Sequence, residues 1–222
     1  MGLNNQQIER YARQIIVPGV GGLAQERLLA SRLTLLGSAH DVAPVLAYMA
    51  GAGVGRIHLW LTGGDQAAQI ELLGQAQNLN RDVVVTASNS IEAPADLVFA
   101  LAGDSATARL IRSSAIADSG APLVVAALNE PLSVAVFPRP SPCLRCADID
   151  PPAYSDRRGD NAGFVAMVAA TEVFRLLAGL APDSRPTLLS FEGYRCTARE
   201  LKQKALAQKC ACMAEHENPV TR

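Results

Sequence analysis

The stretch 32–64, RLTLLGSAHDVAPVLAYMAGAGVGRIHLWLTGG, constrains this chain more than any other. Leu33 to Leu36 is a short apolar run that stops at Gly37. Val42 to Met49 carries apolar residues at helical spacing and ends in Gly51, Gly53 and Gly55, and Ile57 to Leu61 is a second apolar run. Strand, tight turn, helix and strand in this order open a parallel sheet with a nucleotide-binding crevice. In such a unit a glycine-rich first turn lets backbone N–H groups at the helix N-terminus approach phosphate, and an acidic residue ending the second strand holds the ribose. Here the turn is Gly37-Ser38-Ala39-His40-Asp41-Val42, and the second strand ends Trp60-Leu61-Thr62-Gly63-Gly64 without a carboxylate. The scaffold is kept and the ligand chemistry is stripped.

The remaining elements extend the same architecture. Residues 4–16 read as a helix capped by Asn4 or Asn5, with Ile8, Tyr11 and Ile15 on one face. A turn at 17–22 and a helix at 23–31 lead into the first strand. Helices are expected at 65–80, with Ile70, Leu72, Leu73 and Leu79 apolar, at 105–119, with Leu110, Ile111 and Ile116 inward, and at 162–180. Strands are expected at 82–87, 97–101, 123–128, 132–137 and 187–191, and the Pro-, Asp- and Arg-rich segment 139–161 should run on the surface. The expected fold is α/β, Rossmann-like, with a mainly parallel sheet and antiparallel C-terminal strands. One domain is expected over 1–222, comprising N-terminal helices at 4–31, a core at 32–137 and a C-terminal part at 138–222.

Composition narrows the partners. Net charge is −1 and only 18% of residues are charged, so no basic field draws a phosphate backbone and nucleic acid is not an expected partner. Apolar stretches are broken before membrane-spanning length, and the polar N-terminus lacks an apolar leader core, so no membrane association and a cytoplasmic location are expected. All the lysines, Lys202, Lys204 and Lys209, lie beyond residue 201.

The chain resembles the ThiF/MoeB/HesA family of ubiquitin-activating-like adenylyltransferases from about residue 8 to 212. The residues that carry the resemblance are Glu9-Arg10-Tyr11-Ala12-Arg13-Gln14-Ile15-Ile16, Gln25-Glu26, Leu28-Leu29, Ala52-Gly53-Val54-Gly55-Arg56-Ile57 and Ser141-Pro142-Cys143-Leu144-Arg145-Cys146. The resemblance implies an ATP-dependent adenylyltransferase acting on the C-terminal glycine of a ubiquitin-fold sulfur carrier. This chain departs from the pattern that the resemblance supplies. The glycine-rich loop keeps only Gly37, and the two aspartates closing the second strand fall at Leu61 and Gly63. The segment 64–80 is too short for the family's asparagine/arginine stretch, and residues 1–201 contain no lysine for ATP. The magnesium aspartate falls at Gly103, beside Asp104, and 147–163 holds no cysteine. Adenylyl transfer rests on positioning and charge neutralisation around a polyphosphate, so ATP and magnesium are not expected ligands. The expected reading is a catalytically degenerate subunit that dimerises with itself or with an active paralogue and holds a ubiquitin-like carrier. An active adenylyltransferase with an altered ATP site, and a Rossmann module for another small molecule, are the alternatives.

Individual residues carry paired readings. By resemblance Arg13 reaches a partner's ATP site in trans; the plain reading is a surface salt bridge. Cys143, Cys146, Cys210 and Cys212 are expected to hold a structural zinc, with His216 as a substitute ligand, against a redox pair or unrelated thiols. Gly37 and Asp104, with Arg109 and Arg112, are candidates for a residual nucleotide site, or in the case of the charged residues for solvated helix-face charge. Cys196 is expected to be a buried thiol, Asp41 a helix cap, and Trp60 core packing. Asp156, Arg157, Arg158 and Asp160 either dock a partner tail or form a solvated loop.

Overall fold

The computed structural model describes residues 2–64, 66–90, 94–113, 116, 119–138, 142–149, 157–193, 195–204 and 210. Two helices come first, α1 (Asn5–Ile15) and α2 (Gly21–Ala30). The core unit then runs β1 (Arg32–Ser38), α3 (Ala39–Ala52), β2 (Arg56–Thr62), α4 (Gln66–Leu79) and β3 (Val84–Ala87). Next come β4 (Leu97–Ala102), α5 (Ser105–Ile111), β5 (Leu123–Ala127), β6 (Ser133–Phe137), α6 (Ala162–Leu177), β7 (Thr187–Glu192) and β8 (Arg195–Glu200).

These strands form one sheet in the order β3-β2-β1-β4-β5-β6-β7-β8. Pairing is parallel from β3 through β5 and antiparallel from β5 through β8. β1 is flanked by β2 on one side and β4 on the other, so strand order reverses between β1 and β4. That switch point opens a crevice at the carboxyl ends of the strands. One face of the sheet packs against α3, α4 and α6 through residues such as Leu35, Leu59, Phe99, Val45, Met49 and Val173. Leu36, Trp60, Val98, Val125 and Phe137 fill the other face under α5 and the segment 144–149. Trp60 is therefore core, as expected.

Local chemistry sets the ends of the elements. Asn4 caps α1 and forms a capping box with Gln7. α3 runs past Gly51 to Ala52 and stops at Gly53, whose φ of +87° only glycine adopts without strain. Gly55 passes so close to the Leu29 carbonyl that any side chain would collide with it.

Three sequence expectations need correction. α5 ends at Ile111 instead of running to 119. Its last turn closes where Ser113 Oγ donates to the Leu110 carbonyl at 2.6 Å, although residue 116 is again helical. In α4, Leu72 and Ala76 face the core while Ile70 is 63% exposed and Leu79 51% exposed. Ile70 lies two residues from Leu72, about 200° around the helix, and Leu79 sits at the helix end beyond the sheet. Ile8 likewise faces solvent, leaving Tyr11 as the buried residue of α1.

Candidate functional site

The crevice is built from the end of β1, the first turn of α3, the end of β2 and the loop after β4. β1 ends at Gly37 and Ser38. A Cβ on Gly37 would lie 3.1 Å from Leu101 Cβ, so glycine here keeps β1 and β4 close. Ser38, not Asp41, caps α3: its hydroxyl accepts the Asp41 N–H at 3.2 Å and donates to Asp41 Oδ2 at 2.9 Å. Asp41 is instead buried with its carboxylate in the crevice, at the end of the helix where an incoming anion would sit. Arg158 Nη2 lies 2.6 Å from Asp41 Oδ1, an ion pair whose N–H direction misses the oxygen, so Oδ1 has no aligned hydrogen-bond donor. Arg158 comes from the strap 157–159, which runs antiparallel to 128–130 through Glu130 N–H to the Arg157 carbonyl (3.0 Å) and Gly159 N–H to the Leu128 carbonyl (3.1 Å). A Cβ on Gly103 would collide with the Asp41 carboxylate and press on Arg158. Gly37, Asp41, Gly103 and Arg158 thus lie together at the start of α3 and the end of β4.

Asp104 caps α5. Its Oδ1 accepts the Thr107 N–H at 2.7 Å, and its Oδ2 accepts the hydroxyls of Thr107 (2.8 Å) and Thr62 (2.9 Å). Burial alone would raise this carboxyl, but the Thr107 and Thr62 hydrogen bonds outweigh it and hold it below the usual carboxylate range. The carboxylate is committed to these partners. Arg109 is exposed on α5, and Arg112 Nε donates to the Ala108 carbonyl at 3.1 Å. His40 is exposed, and Arg157 and Asp160 flank Arg158 on the surface. Asp156 lies outside the described residues.

Arg13 lies far from this crevice. α1 docks on the C-terminal end of α3, where Gln14 Nε2 donates to the Gly51 carbonyl at 3.4 Å. The crevice is at the other end of α3, about 20 Å away at helical rise. Arg13 is exposed and borders an apolar groove of about 550 Å³ lined by Val17, Val20, Tyr48, Leu79 and Phe174. Tyr11, on the buried side of the same helix, donates to Asp82 at 3.1 Å and accepts from Asn80 at 2.9 Å. Burial, with Asp82 adding to it, pushes its pKa up to about 12.

Cys143, Cys146 and Cys210 form the remaining cluster. Their sulfurs lie within 4.8 Å of one another, with Cys143 Sγ 3.8 Å from Cys146 Sγ and 3.5 Å from Cys210 Sγ. Zinc–sulfur bonds of about 2.3 Å in a tetrahedron place sulfurs about 3.8 Å apart, so three corners of such a site fit. The Cys143 N–H points at Cys146 Sγ at 3.2 Å. Cys212 and His216 lie outside the described residues. The chain before Cys210 is tied to the same loop: Lys204 N–H donates to the Cys146 carbonyl (2.7 Å), Asp148 N–H to the Lys202 carbonyl (2.7 Å), and Arg199 Nη1 to Asp148 Oδ2 (2.9 Å). Cys196 is exposed on β8, contrary to expectation, because every residue of that edge strand faces solvent.

Topology and crevice together define a doubly wound α/β protein with its candidate site at the β1/β4 switch point. No family model matches the chain. Its sequence is 28% identical over 242 residues to the sulfur carrier protein adenylyltransferase of Thermus thermophilus, covering 90% of this chain and 89% of that protein. It is 29% identical over 254 residues to bovine adenylyltransferase and sulfurtransferase MOCS3, covering 96% of this chain and 54% of that protein. The chain spans about half the length of the first curated relatives it matches. Among solved structures, E. coli MccB with MccA-N7isoASN superposes with a TM-score of 0.70 at 14% identity, over 93% of this chain and 75% of that one. In sequence the chain is similar to proteins of the ThiF/MoeB/HesA family, HesA of Trichormus variabilis among them at 27% identity over 89% of this chain and 86% of that protein. Among the described residues, no helix is long and apolar enough to cross a membrane.

The hallmark residues of the resemblance now have physical roles. Tyr11, Gln25, Gly53 and Gly55 meet at one joint: Gln25 Nε2 donates to the Ala52 carbonyl at 3.0 Å, and a Cβ on Gly53 would strike both Gln25 and Tyr11. Their contacts pack α1 and α2 against the end of α3. Sequence reading missed the Asp41–Arg158 pair, because nothing in either segment indicates that residues 117 positions apart meet.

Proposed function

We propose that this chain is a catalytically inactive ThiF/MoeB-like domain spanning 1–222, a cytoplasmic subunit that dimerises and scaffolds a ubiquitin-like sulfur carrier or an active paralogue. The observation that carries this reading is the buried Asp41 carboxylate in the phosphate notch, paired with Arg158. A polyphosphate entering there would have to part Arg158 from Asp41 and would then face a buried carboxylate where backbone donors are needed. Leu61, Gly63 and Gly103, where the family places carboxylates, supply no metal ligands, and Asp104 is spent on capping α5. The names of the relatives support the choice of a sulfur carrier as the partner class.

Within that assembly Arg13 serves the partner's site. A helix length separates it from its own crevice, so it meets a nucleotide only across a subunit boundary. Zinc sits at Cys143, Cys146 and Cys210 with Cys212 as the fourth ligand, and it fastens the C-terminal tail to the knuckle loop. It takes no part in chemistry.

ATP–pyrophosphate exchange tests the assignment. The chain alone with a carrier should show no exchange, and adding it to an active paralogue should raise that enzyme's rate. Arg13→Ala should remove at least tenfold of the gain. Exchange by the chain alone, or a gain that survives Arg13→Ala, contradicts the reading.

A further inference from the structure

The first rungs of β1 and β2 carry a feature the crevice does not use. Arg32 stands beside Arg56 in the parallel register, and Thr34 stands beside His58. Residues two apart on a strand share a face, so all four project from one side of the sheet. With Leu33, Pro94 and Ala95 they line a cavity of about 200 Å³. It opens at the amino-terminal ends of the strands, roughly a strand length or about 20 Å from the crevice.

Two guanidinium groups side by side on neighbouring strands repel and cost stability. Neither has an ion pair among the described residues: Asp96 accepts the backbone N–H of Arg32 at 2.8 Å. His58 is buried and its ring is engaged. Nε2 lies 2.9 Å from the Ser90 carbonyl and 3.1 Å from the Ser88 hydroxyl, and Nδ1 lies 3.0 Å from the Thr86 hydroxyl. These bonds hold the ring in place at the cavity floor. The fork of N–H donors on a guanidinium matches tetrahedral oxyanions, and two forks flanking one small cavity match a doubly charged one.

We propose that this cavity is a phosphate-binding site, clamped by Arg32 and Arg56 over Thr34 and separate from the nucleotide crevice. Its ligand is inorganic phosphate or the phosphate group of a monoester. Calorimetric titration of the full chain in phosphate- and sulfate-free buffer at fixed ionic strength tests it, with inorganic phosphate and glycerol 3-phosphate as probes. Expected is one saturable site, weakened at least tenfold in both Arg32→Gln and Arg56→Gln and unchanged in Arg195→Gln on the exposed edge strand β8. Tighter binding of glycerol 3-phosphate supports the site with an esterified ligand; equal binding supports recognition of the phosphate group alone. Both variants remove repulsion at exposed positions, so their thermal midpoints without phosphate should be no lower than that of the unmodified chain. Absence of saturable binding, or binding that survives both substitutions, overturns the proposal.

Discussion

Asp41 is the residue on which the reading of the crevice turns. Its carboxylate is buried while its partner Arg158 is part exposed, so water screens the pair from one side. Arg158→Ala strands the carboxylate and should lower unfolding stability by about 1–2 kcal/mol, read from urea midpoints at constant m. A value near zero would mean that the strap does not hold Asp41. Tyr11 gives a pH prediction. Its phenol is raised from 10.0 to about 12 on folding, so the folded state favours the protonated form. That stability is fully present below pH 10 and is lost as pH rises through about 12. Urea midpoints should fall across this window, and Tyr11→Phe should flatten the fall. At this scale the sequence was only half legible. Asp41 at a helix start reads as a cap because aspartate is a common one, yet Ser38 three residues earlier takes that role and frees Asp41 to point inward. Cys196 reads as buried because cysteine usually is, but β8 is an edge strand exposed throughout.

Among the elements, the knuckle and the tail are the ones joined by chemistry. If Cys143, Cys146 and Cys210 hold zinc, metal analysis should give about one zinc per chain, and a chelator should release backbone protection over 199–204 ahead of the core. Cys146→Ser should do the same without chelator, and a zinc content well below one with full protection would contradict the staple. Asp148 strengthens the joint. The Lys202 N–H, followed by Arg199, holds its carboxyl below the usual carboxylate range. Its contribution is present above that range and lost as pH falls through the lowered value, so the tail should loosen in acid before the sheet does. Strand and helix identities were legible from periodicity, from α1 through β7. The boundaries that moved, at α3 and α5, were set by a left-handed glycine and by a serine bonding back to a carbonyl. α4 misled because its apolar residues outnumber those its buried stripe uses, and Ile70 and Leu79 remain outside.

For the molecule as a whole, sheet order decides where function sits. The reversal between β1 and β4 places the crevice at their carboxyl ends; the mainly parallel sheet was readable from the strand, turn, helix and strand order, and the antiparallel C-terminal strands came with the family resemblance. What was not readable is how the strap 157–159 crosses that opening, since it depends on a single long-range bridge from Asn129 to Arg158. Under the proposed function the Asp41–Arg158 pair stands in the crevice and keeps ATP out. Calorimetry of the full chain with ATP and magnesium tests it most directly. The account predicts no saturable heat at millimolar nucleotide, and a dissociation constant in the low micromolar range, about −8 kcal/mol, would contradict it.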